Sequence, residues 1–467
     1  MTAGNLDSTH EPSGEARDGE AAAAARAEPG LVLISLSGQP ALAVMPLGPE
    51  PVDIGRGLGE LAEHPDHMMS RRHAHVAYRG GQFVITDLDS RNGTWIDGVA
   101  VQGSRSAMPG AVVRFGHSLF LCVSDIRPYR LLGVRVDDSR VEGPALQQTL
   151  RTVAQLGQAG RTLFISGGSG AGKESIAQAF HRASPQRSGP FVAVNCAAIP
   201  EGIAERLLFG ARKGAFSGAN QDSEGYIEAA HGGTLFLDEI ADLDSTVQGK
   251  LLRVIESGEL LAVGASRPRK VQFGVCSATH KDLRALVEAS RFRADLYFRI
   301  GMPQVSVPPL RQRREEIPWL IYKAVQSITP GLKVDVSLIE ACVLREWPGN
   351  VRELQAEVNT AALTARGAGE DRVTARQLRA GAGAAISAPL SETDAQSVAV
   401  PPKAGKRTEP ATEGEPPSRA QMMAALLESD GNISAAARAV SVHRTQFRRL
   451  LARYNIDLEK LRRVGKV

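Results

Sequence analysis

The segment GGSGAGKES, Gly167–Ser175, follows the apolar run TLFIS and leads into a stretch with helical spacing. Glycines at 167, 168, 170 and 172 free the backbone for positive φ, so successive N–H groups can converge at a helix N-terminus. Lys173 adds a cation able to reach the β- and γ-phosphates of a nucleotide. Such a loop requires a strand–turn–helix unit. The runs TLFIS, FVAVN, GTLFLD and QFGVCSA, with helical patterns between them, predict an α/β domain with a mainly parallel sheet. Glu174 stands where a strict phosphate-loop pattern has Ser or Thr, and by itself the spacing leaves a merely Gly-rich turn open.

A second signal lies about 65 residues downstream, where Leu235-Phe236-Leu237 runs into Asp238-Glu239. In isolation this pair reads as an acidic N-cap on a following helix. Paired with the Gly-rich loop, it suits Mg²⁺ binding by Asp238 and activation of a water by Glu239. Together the two motifs point to ATP hydrolysis.

Five further motifs follow in order: NCAAIPE around Asn195, LFGARKGAFSGA at 208–219, FRADLYFRI at 292–300, PPLRQRREEIP at 308–318 and WPGNVRELQ from Trp347. With the loop and GGTLFLDEI, they resemble the AAA+ domain of sigma-54-dependent activators, also called bacterial enhancer-binding proteins. In that family Glu normally follows the loop lysine, as Glu174 does here. The resemblance implies that Gly167, Gly168, Ser169, Gly170, Ala171, Gly172, Lys173 and Glu174 bind ATP. It makes Asp238 the Mg²⁺ ligand, Glu239 the group that polarises water, and Asn195 a restraint on that glutamate. Thr279 becomes the γ-phosphate sensor and Arg352 the lid sensor. Arg293 and Arg299 become arginine fingers supplied across a ring interface, the ring being expected to be hexameric.

The loop Gly214, Ala215, Phe216, Ser217, Gly218, Ala219 resembles the family segment that presses on sigma-54 and remodels the closed promoter complex. Its flanking glycines allow an excursion, and Phe216 offers an apolar contact of about 1–3 kcal/mol when fully buried. Ser217 replaces the usual Thr, which keeps the hydroxyl and loses a methyl.

Upstream, LVLISL, ALAVM, HAHVAY, QFVITDL, TWIDG and AVVRF alternate with Gly-Gly, Asn-Gly and Asp-Gly turn signals and predict an all-β sandwich. Gly55-Arg56, Ser70-x-x-His73 and Asn92-Gly93, in this order, resemble the forkhead-associated (FHA) domain. That likeness implies phosphothreonine recognition by Arg56, Ser70, Arg71, Arg91 and Asn92, with Gly55 and His73 shaping the loops. A sandwich that keeps the fold as a docking surface without phosphate binding stays open.

The tail, residues 418–467, carries ten Lys/Arg against four Asp/Glu, a local excess that the net charge of +4 over the whole chain conceals. GNISAAARAVSVHRTQFRRLLARY reads as helix, tight turn, helix, and resembles the Fis-type helix-turn-helix. The likeness makes His443, Arg444, Thr445, Gln446, Arg448 and Arg449 the DNA-contacting set.

The expected organisation is multidomain. Residues 1–30 are acidic, Ala-rich and without a core, and are expected to be disordered; 31–124 form the FHA sandwich; 125–140 connect. The AAA+ α/β part covers 141–314, and a purely helical lid covers 315–382. A linker with six prolines spans 383–417, and the all-α DNA-binding domain follows at 418–467. No run of about 18 apolar residues argues for a membrane span, and Cys122, Cys196, Cys276 and Cys342 show no CxxC spacing. The expected setting is the bacterial cytoplasm. Expected partners are sigma-54 RNA polymerase holoenzyme, enhancer DNA and a phosphothreonine-bearing protein, either a Ser/Thr kinase or this chain itself. With no receiver domain read ahead of the ATPase, control through phosphothreonine rather than phosphoaspartate is expected. The competing reading is a DNA-bound AAA+ regulator or scaffold that does not engage sigma-54.

Overall fold

The structure, a computed structural model, describes residues 27–57, 65–138, 140–200, 202–216 and 220–385, with five isolated positions between 423 and 440. Residues up to 387 belong to one compact unit and those from 388 to a second.

The chain opens with ten strands: β1 (Gly30–Leu36), β2 (Gln39–Pro46), β3 (Val52–Ile54), β4 (Ala74–Arg79), β5 (Gln82–Asp87), β6 (Thr94–Ile96), β7 (Val99–Ala100), β8 (Ser104–Ala107), β9 (Val112–Phe115) and β10 (Ser118–Val123). They form a six-stranded sheet, β2-β1-β10-β9-β6-β7, facing a four-stranded one, β3-β4-β5-β8. Leu31, Leu33, Ile54, Val76, Phe83, Ile85, Phe115 and Phe120 pack between them. This is the predicted FHA sandwich.

Residues 125–140, read as connecting chain, carry secondary structure. Helix α1 (Arg127–Leu132) is followed by the two-residue strands β11 (Arg135–Val136) and β12 (Val141–Glu142), paired antiparallel. Gln147 pins this stretch by donating to the carbonyls of Leu132, Gly133 and Glu142.

Helix α2 (Pro144–Ala159) then introduces the α/β part. Its sheet holds β13 (Thr162–Ser166), β14 (Phe191–Asn195), β15 (Thr234–Asp238), β18 (Gly274–Thr279) and β19 (Gln304–Ser306) in the order β14-β15-β18-β13-β19, every pair parallel. The small antiparallel pair β16 (Glu259–Leu260) and β17 (Arg269–Lys270) lies outside it. Helices α3 (Lys173–Ala183), α4 (Ala204–Phe209), α5 (Tyr226–Ala229), α6 (Ser245–Ser257), α7 (Leu283–Glu288) and α8 (Ala294–Ile300) connect the strands. Because crossovers cover both faces, the strands read as continuous apolar runs.

The lid contains α9 (Ile317–Ile328), α10 (Val336–Val343) and α11 (Asn350–Gly367). It is not purely helical, since β20 (Lys333–Val334) pairs in parallel with β21 (Arg372–Val373). Of the second unit, Met423, Ala425, Leu426 and Ala436 are helical, and the last three are buried. The expected DNA-contacting residues, His443 to Arg449, lie outside the described residues.

The sandwich is not a bead on a string. Side chains of β1, β9 and β10 alternate between two cores: Leu31, Leu33, Val113 and Phe120 point into the sandwich. Val32, Ile34, Val112, Leu119 and Leu121 instead join Leu310, Ile317, Leu320, Ile321 and the lid helices in one continuous cluster. A half-buried ion pair sits on the same face, Arg114 Nε to Glu340 Oε2 of α10 at 2.9 Å. The Arg114 guanidinium also stacks over Trp95, 4.7 Å from the ring centre, and donates to Gly116 O at 3.1 Å. Arg314 adds a hydrogen bond to Gly110 O at 2.9 Å.

Truncating a fully buried leucine at this junction leaves a cavity that neither side can fill. Leu119→Ala should therefore cost about 2–5 kcal/mol in urea denaturation. Glu340→Ala should cost less, roughly 1–3 kcal/mol, because water still reaches the freed Arg114.

Candidate functional site

The Gly-rich loop joins the C-terminal end of β13 to α3. Gly170 and Gly172 hold φ of +69° and +104°, and a Cβ on Gly170 would lie 2.3 Å from Gly349 O. Position 170 therefore has to be glycine, because the loop presses against the start of the lid helix α11. Asn350 fastens that contact. Its Nδ2 donates to Ser169 O at 2.9 Å while its Oδ1 accepts from Leu310 N at 2.8 Å. Arg352, two residues along, reaches Ser169 Oγ at 3.3 Å.

Between loop and lid lies a cleft of about 360 Å³, lined by the loop, Asp238, Glu239, Arg313, Glu316 and Arg352 among others. It opens at the carboxyl ends of the parallel strands, where sheets of this class bind ligands. Lys173 is buried at its floor, donating to Gly167 O at 3.2 Å and to Glu239 Oε1 at 3.0 Å.

Asp238 ends β15, and the chain turns at once. Glu239 takes φ 50°, ψ 48°, a left-handed conformation that costs a non-glycine residue of order 1–3 kcal/mol. The turn carries the Glu239 carboxylate to the tip of β18, where Oε2 accepts from Thr279 Oγ1 at 3.0 Å and from His280 Nδ1 at 2.8 Å. Burial alone would raise the Glu239 pKa, but the hydrogen bonds and charge of Lys173, helped by His280 and Thr279, bring it below the usual value. Burial keeps the Asp238 carboxyl above the ordinary range, an effect that Lys173 only partly offsets. Two adjacent carboxylates are thus set apart in proton affinity. Among the described residues no cluster of three or more His, Cys, Asp or Glu could hold a metal. Asp238 fits Mg²⁺ in the manner usual for nucleotide sites, one carboxylate completed by phosphate oxygens and water.

Asn195 lies beside Asp238 in the strand register, and its Oδ1 accepts from Ala197 N at 3.0 Å, capping the turn that follows. That cap uses only the carboxamide oxygen and leaves the amide nitrogen as a donor. Glu239 itself is held by Lys173, Thr279 and His280.

Two residues of the cleft carry no assignment from motif reading. Arg313 and Glu316 are fully buried and paired at 2.8 Å. Arg313 donates to Ala171 O of the loop at 3.2 Å, and Glu316 accepts from Gly143 N at 2.7 Å. The pair ties the loop to the start of α2. The motif PPLRQRREEIP contains both, but its spacing sets neither apart from the charged residues around it.

Arg293 and Arg299 stand apart from the cleft. Arg293 is exposed and paired with Asp295 at 2.7 Å. Arg299, also exposed, reaches Ile255 O at 3.5 Å. Of the loop Gly214–Ala219, Gly214, Ala215 and Phe216 are described, whereas Ser217, Gly218 and Ala219 are not. Phe216 is 40% exposed, with the Arg206 guanidinium 5.2 Å from its ring centre.

At one end of the sandwich the five FHA candidates come together. Arg56 N donates to Ser70 O at 3.0 Å, Arg91 N to Ser70 Oγ at 3.2 Å, and Asn92 Nδ2 to Met68 O at 2.7 Å. Arg71 and Arg91 are exposed, beside half-buried Arg56. Gly55 is required here, since a Cβ would lie 1.9 Å from Arg71 O. His73 is buried between the loops, and desolvation keeps it neutral by lowering its pKa. Its Nδ1 accepts from Ser70 N at 3.1 Å, so Nε2–H is the nitrogen that faces Gly93 O at 3.2 Å.

Four family profiles match the chain: an FHA domain at 52–116, a sigma-54 interaction domain at 140–306, an AAA+ ATPase lid domain at 311–389 and a bacterial regulatory protein of the Fis family at 418–454. The transcriptional regulator NtrC of Escherichia coli strain K12 is 45% identical over 219 residues, covering 46% of this chain and 47% of that one. A Nif-specific regulatory protein of Herbaspirillum seropedicae is 36% identical over 336 residues, covering 68% and 61%. A crystal structure of NtrX from Brucella abortus is 30% identical, with a TM-score of 0.48 and coverage of 67% and 68%. The chain spans about half the length of the NtrC relatives it matches.

Burial beside the cleft has a pH signature. Desolvation pushes Glu315 up to about 8 and Glu316 to about 7, from an ordinary 4.5. The folded state then keeps protons that the unfolded chain has released. The associated stability is full below about pH 4.5 and falls as pH rises through 7 to 8. Glu315→Gln, isosteric and neutral, should flatten that fall when urea midpoints are compared at about pH 5.5 and 8.5.

Proposed function

Because the chain belongs to the sigma-54-dependent transcriptional activators, we propose that it hydrolyses ATP in a hexameric ring of its own copies and uses the turnover to remodel a closed promoter complex. Lys173 and the loop N–H groups hold the β- and γ-phosphates, and Thr279 contacts the γ-phosphate region. Mg²⁺, held by Asp238, would neutralise charge between the phosphates. Glu239 polarises the attacking water. Arg352 carries nucleotide occupancy to the lid, and Arg293 or Arg299 of a neighbouring copy stabilises the charge that develops on the transferring group. The observation that carries this reading is that Lys173 and Glu239, paired with each other and backed by Thr279, line the same cleft as the Gly-rich loop and Arg352 of the lid.

The same reading gives Gly214–Ala219 the contact with sigma-54 holoenzyme and the Fis-type tail the enhancer DNA. Phosphothreonine, on a kinase or on this chain, binds at Arg56, Ser70, Arg71, Arg91 and Asn92. Its route to the ATPase is short, because the sandwich shares a core with the lid and is paired to it through Arg114 and Glu340. Among the described residues no helix is long and apolar enough to cross a membrane, and the bacterial cytoplasm is the proposed setting.

Single-round transcription with sigma-54 polymerase, ATP and enhancer DNA, with and without phosphothreonine peptides, tests the whole reading. ATP-dependent open complexes that respond to the peptides are expected. Hydrolysis without open complexes would favour the regulator that does not engage sigma-54. Two variants separate the steps. Phe216→Ala should leave ATP turnover near wild type and abolish open complexes, so retained open complexes would remove the loop from its role. Glu239→Gln should lower turnover at least ~100-fold while ATP still binds.

A further inference from the structure

A second cleft, of about 900 Å³, lies where the sandwich meets the ATPase. Its walls come from the end of β10, from α1, from the first turn of α2 and from residues 311–315 ahead of α9. Leu121, Pro128, Leu132 and Pro144 give it an apolar body, and its size is that of small-ligand sites, roughly 300–1,000 Å³.

Two charged residues in these walls lack the partners that buried charge demands. Glu315 is 2% exposed, and among the described residues only its own backbone N–H donates to its carboxyl. Arg314 gives Nη1 to Gly110 O at 2.9 Å, while its Nε is buried without an acceptor. The residues on either side, Arg313 and Glu316, turn to each other instead and pair at 2.8 Å. Buried groups left unmet are costly, so each exception asks for an explanation.

The chemistry of the walls names the missing partner. Burial pushes Glu315 up to about 8, so at neutral pH its carboxyl is a hydrogen-bond donor. Burial and the neighbouring Glu315 likewise keep the Tyr129 phenol protonated. Arg311 adds a second guanidinium, exposed and held only loosely by Glu346 at 3.6 Å. The one other acid of the cleft, Asp125, is already paired with Arg127 at 2.7 Å. Two guanidinium groups, an acid O–H and a phenol O–H call for an anionic acceptor.

We propose that this cleft binds a small monocarboxylate with an aliphatic or aromatic body, which packs on Leu121, Pro128, Leu132 and Pro144 while its carboxylate accepts from Arg314 Nε and from the Glu315 carboxyl. The site adjoins the ties that hold the nucleotide loop. Glu316, the next residue, accepts from Gly143 N at the head of α2, and Arg313 donates to Ala171 O. Binding here requires no ATP turnover.

The test titrates the full chain calorimetrically with hexanoate, octanoate and phenylbutyrate, and then with the amide and the amine that share the phenylbutyl body. At least one carboxylate should bind with a dissociation constant below about 1 mM. The amide and the amine should bind at least ~10-fold more weakly than phenylbutyrate, the amine because it meets two guanidinium groups. Arg314→Leu and Glu315→Leu should each weaken carboxylate binding at least ~10-fold. Glu315→Leu removes a buried carboxyl without a side-chain partner and should fold even where Arg314→Leu does not. Ala145→Phe, at an exposed position of the wall, should block the cleft.

Three results would each overturn the site: dissociation constants above about 1 mM for all three carboxylates, amide or amine binding as tight as phenylbutyrate, or carboxylate binding that Glu315→Leu and Ala145→Phe leave intact.

Discussion

The six-stranded sheet of the sandwich has to bury two faces. One face closes over the four-stranded sheet, as in any sandwich; the other lies against the lid helices. The consequences reach both ways. The lid is fixed by packing to a domain that precedes it in sequence by about two hundred residues, and that lid holds Asn350 and Arg352 against the Gly-rich loop. The cleft and the sandwich loops that carry Arg56, Ser70 and Asn92 are therefore parts of one packed body, with Arg114 at the junction.

Around the cleft, the governing constraint is competition for a few charged groups. Lys173 divides itself between Glu239 and Gly167 O of the loop. Thr279 donates to the same carboxylate. The strained backbone at Glu239 puts its carboxylate where both can reach it. Burying such groups is tolerable because Lys173 and Glu239 offset each other and Thr279 and His280 complete the carboxylate's hydrogen bonds.

The parts most legible in the sequence are those whose function needs adjacent residues. The loop from Gly167 to Glu174 and the Asp238-Glu239 pair are short, and their chemistry dictates their order. Docking of the sandwich on the lid was not read from the chain, which was divided there by a connector, although the unbroken runs LVLISL and SLFLCV fit strands buried on both faces. Arg313 and Glu316 could not be found this way. A run of charges looks solvated until tertiary contacts enclose it. The cap between Asn195 Oδ1 and Ala197 N escaped notice for a different reason, because a side chain bonding a backbone two residues on leaves no mark in a motif. The short parallel pair in the lid was invisible because two-residue strands leave no periodic pattern.

The shared core also bears on how the chain can be dissected. Cutting between sandwich and ATPase would bare Leu310, Ile317, Leu320 and Ile321 on one fragment and Val32, Ile34, Leu119 and Leu121 on the other. Each fragment would carry a contiguous apolar patch of the kind that makes proteins self-associate. The N-terminal domain is in this sense a solubilising half of the ATPase. Gain or loss of such a domain over evolutionary time would have to be accompanied by rewriting of the lid surface.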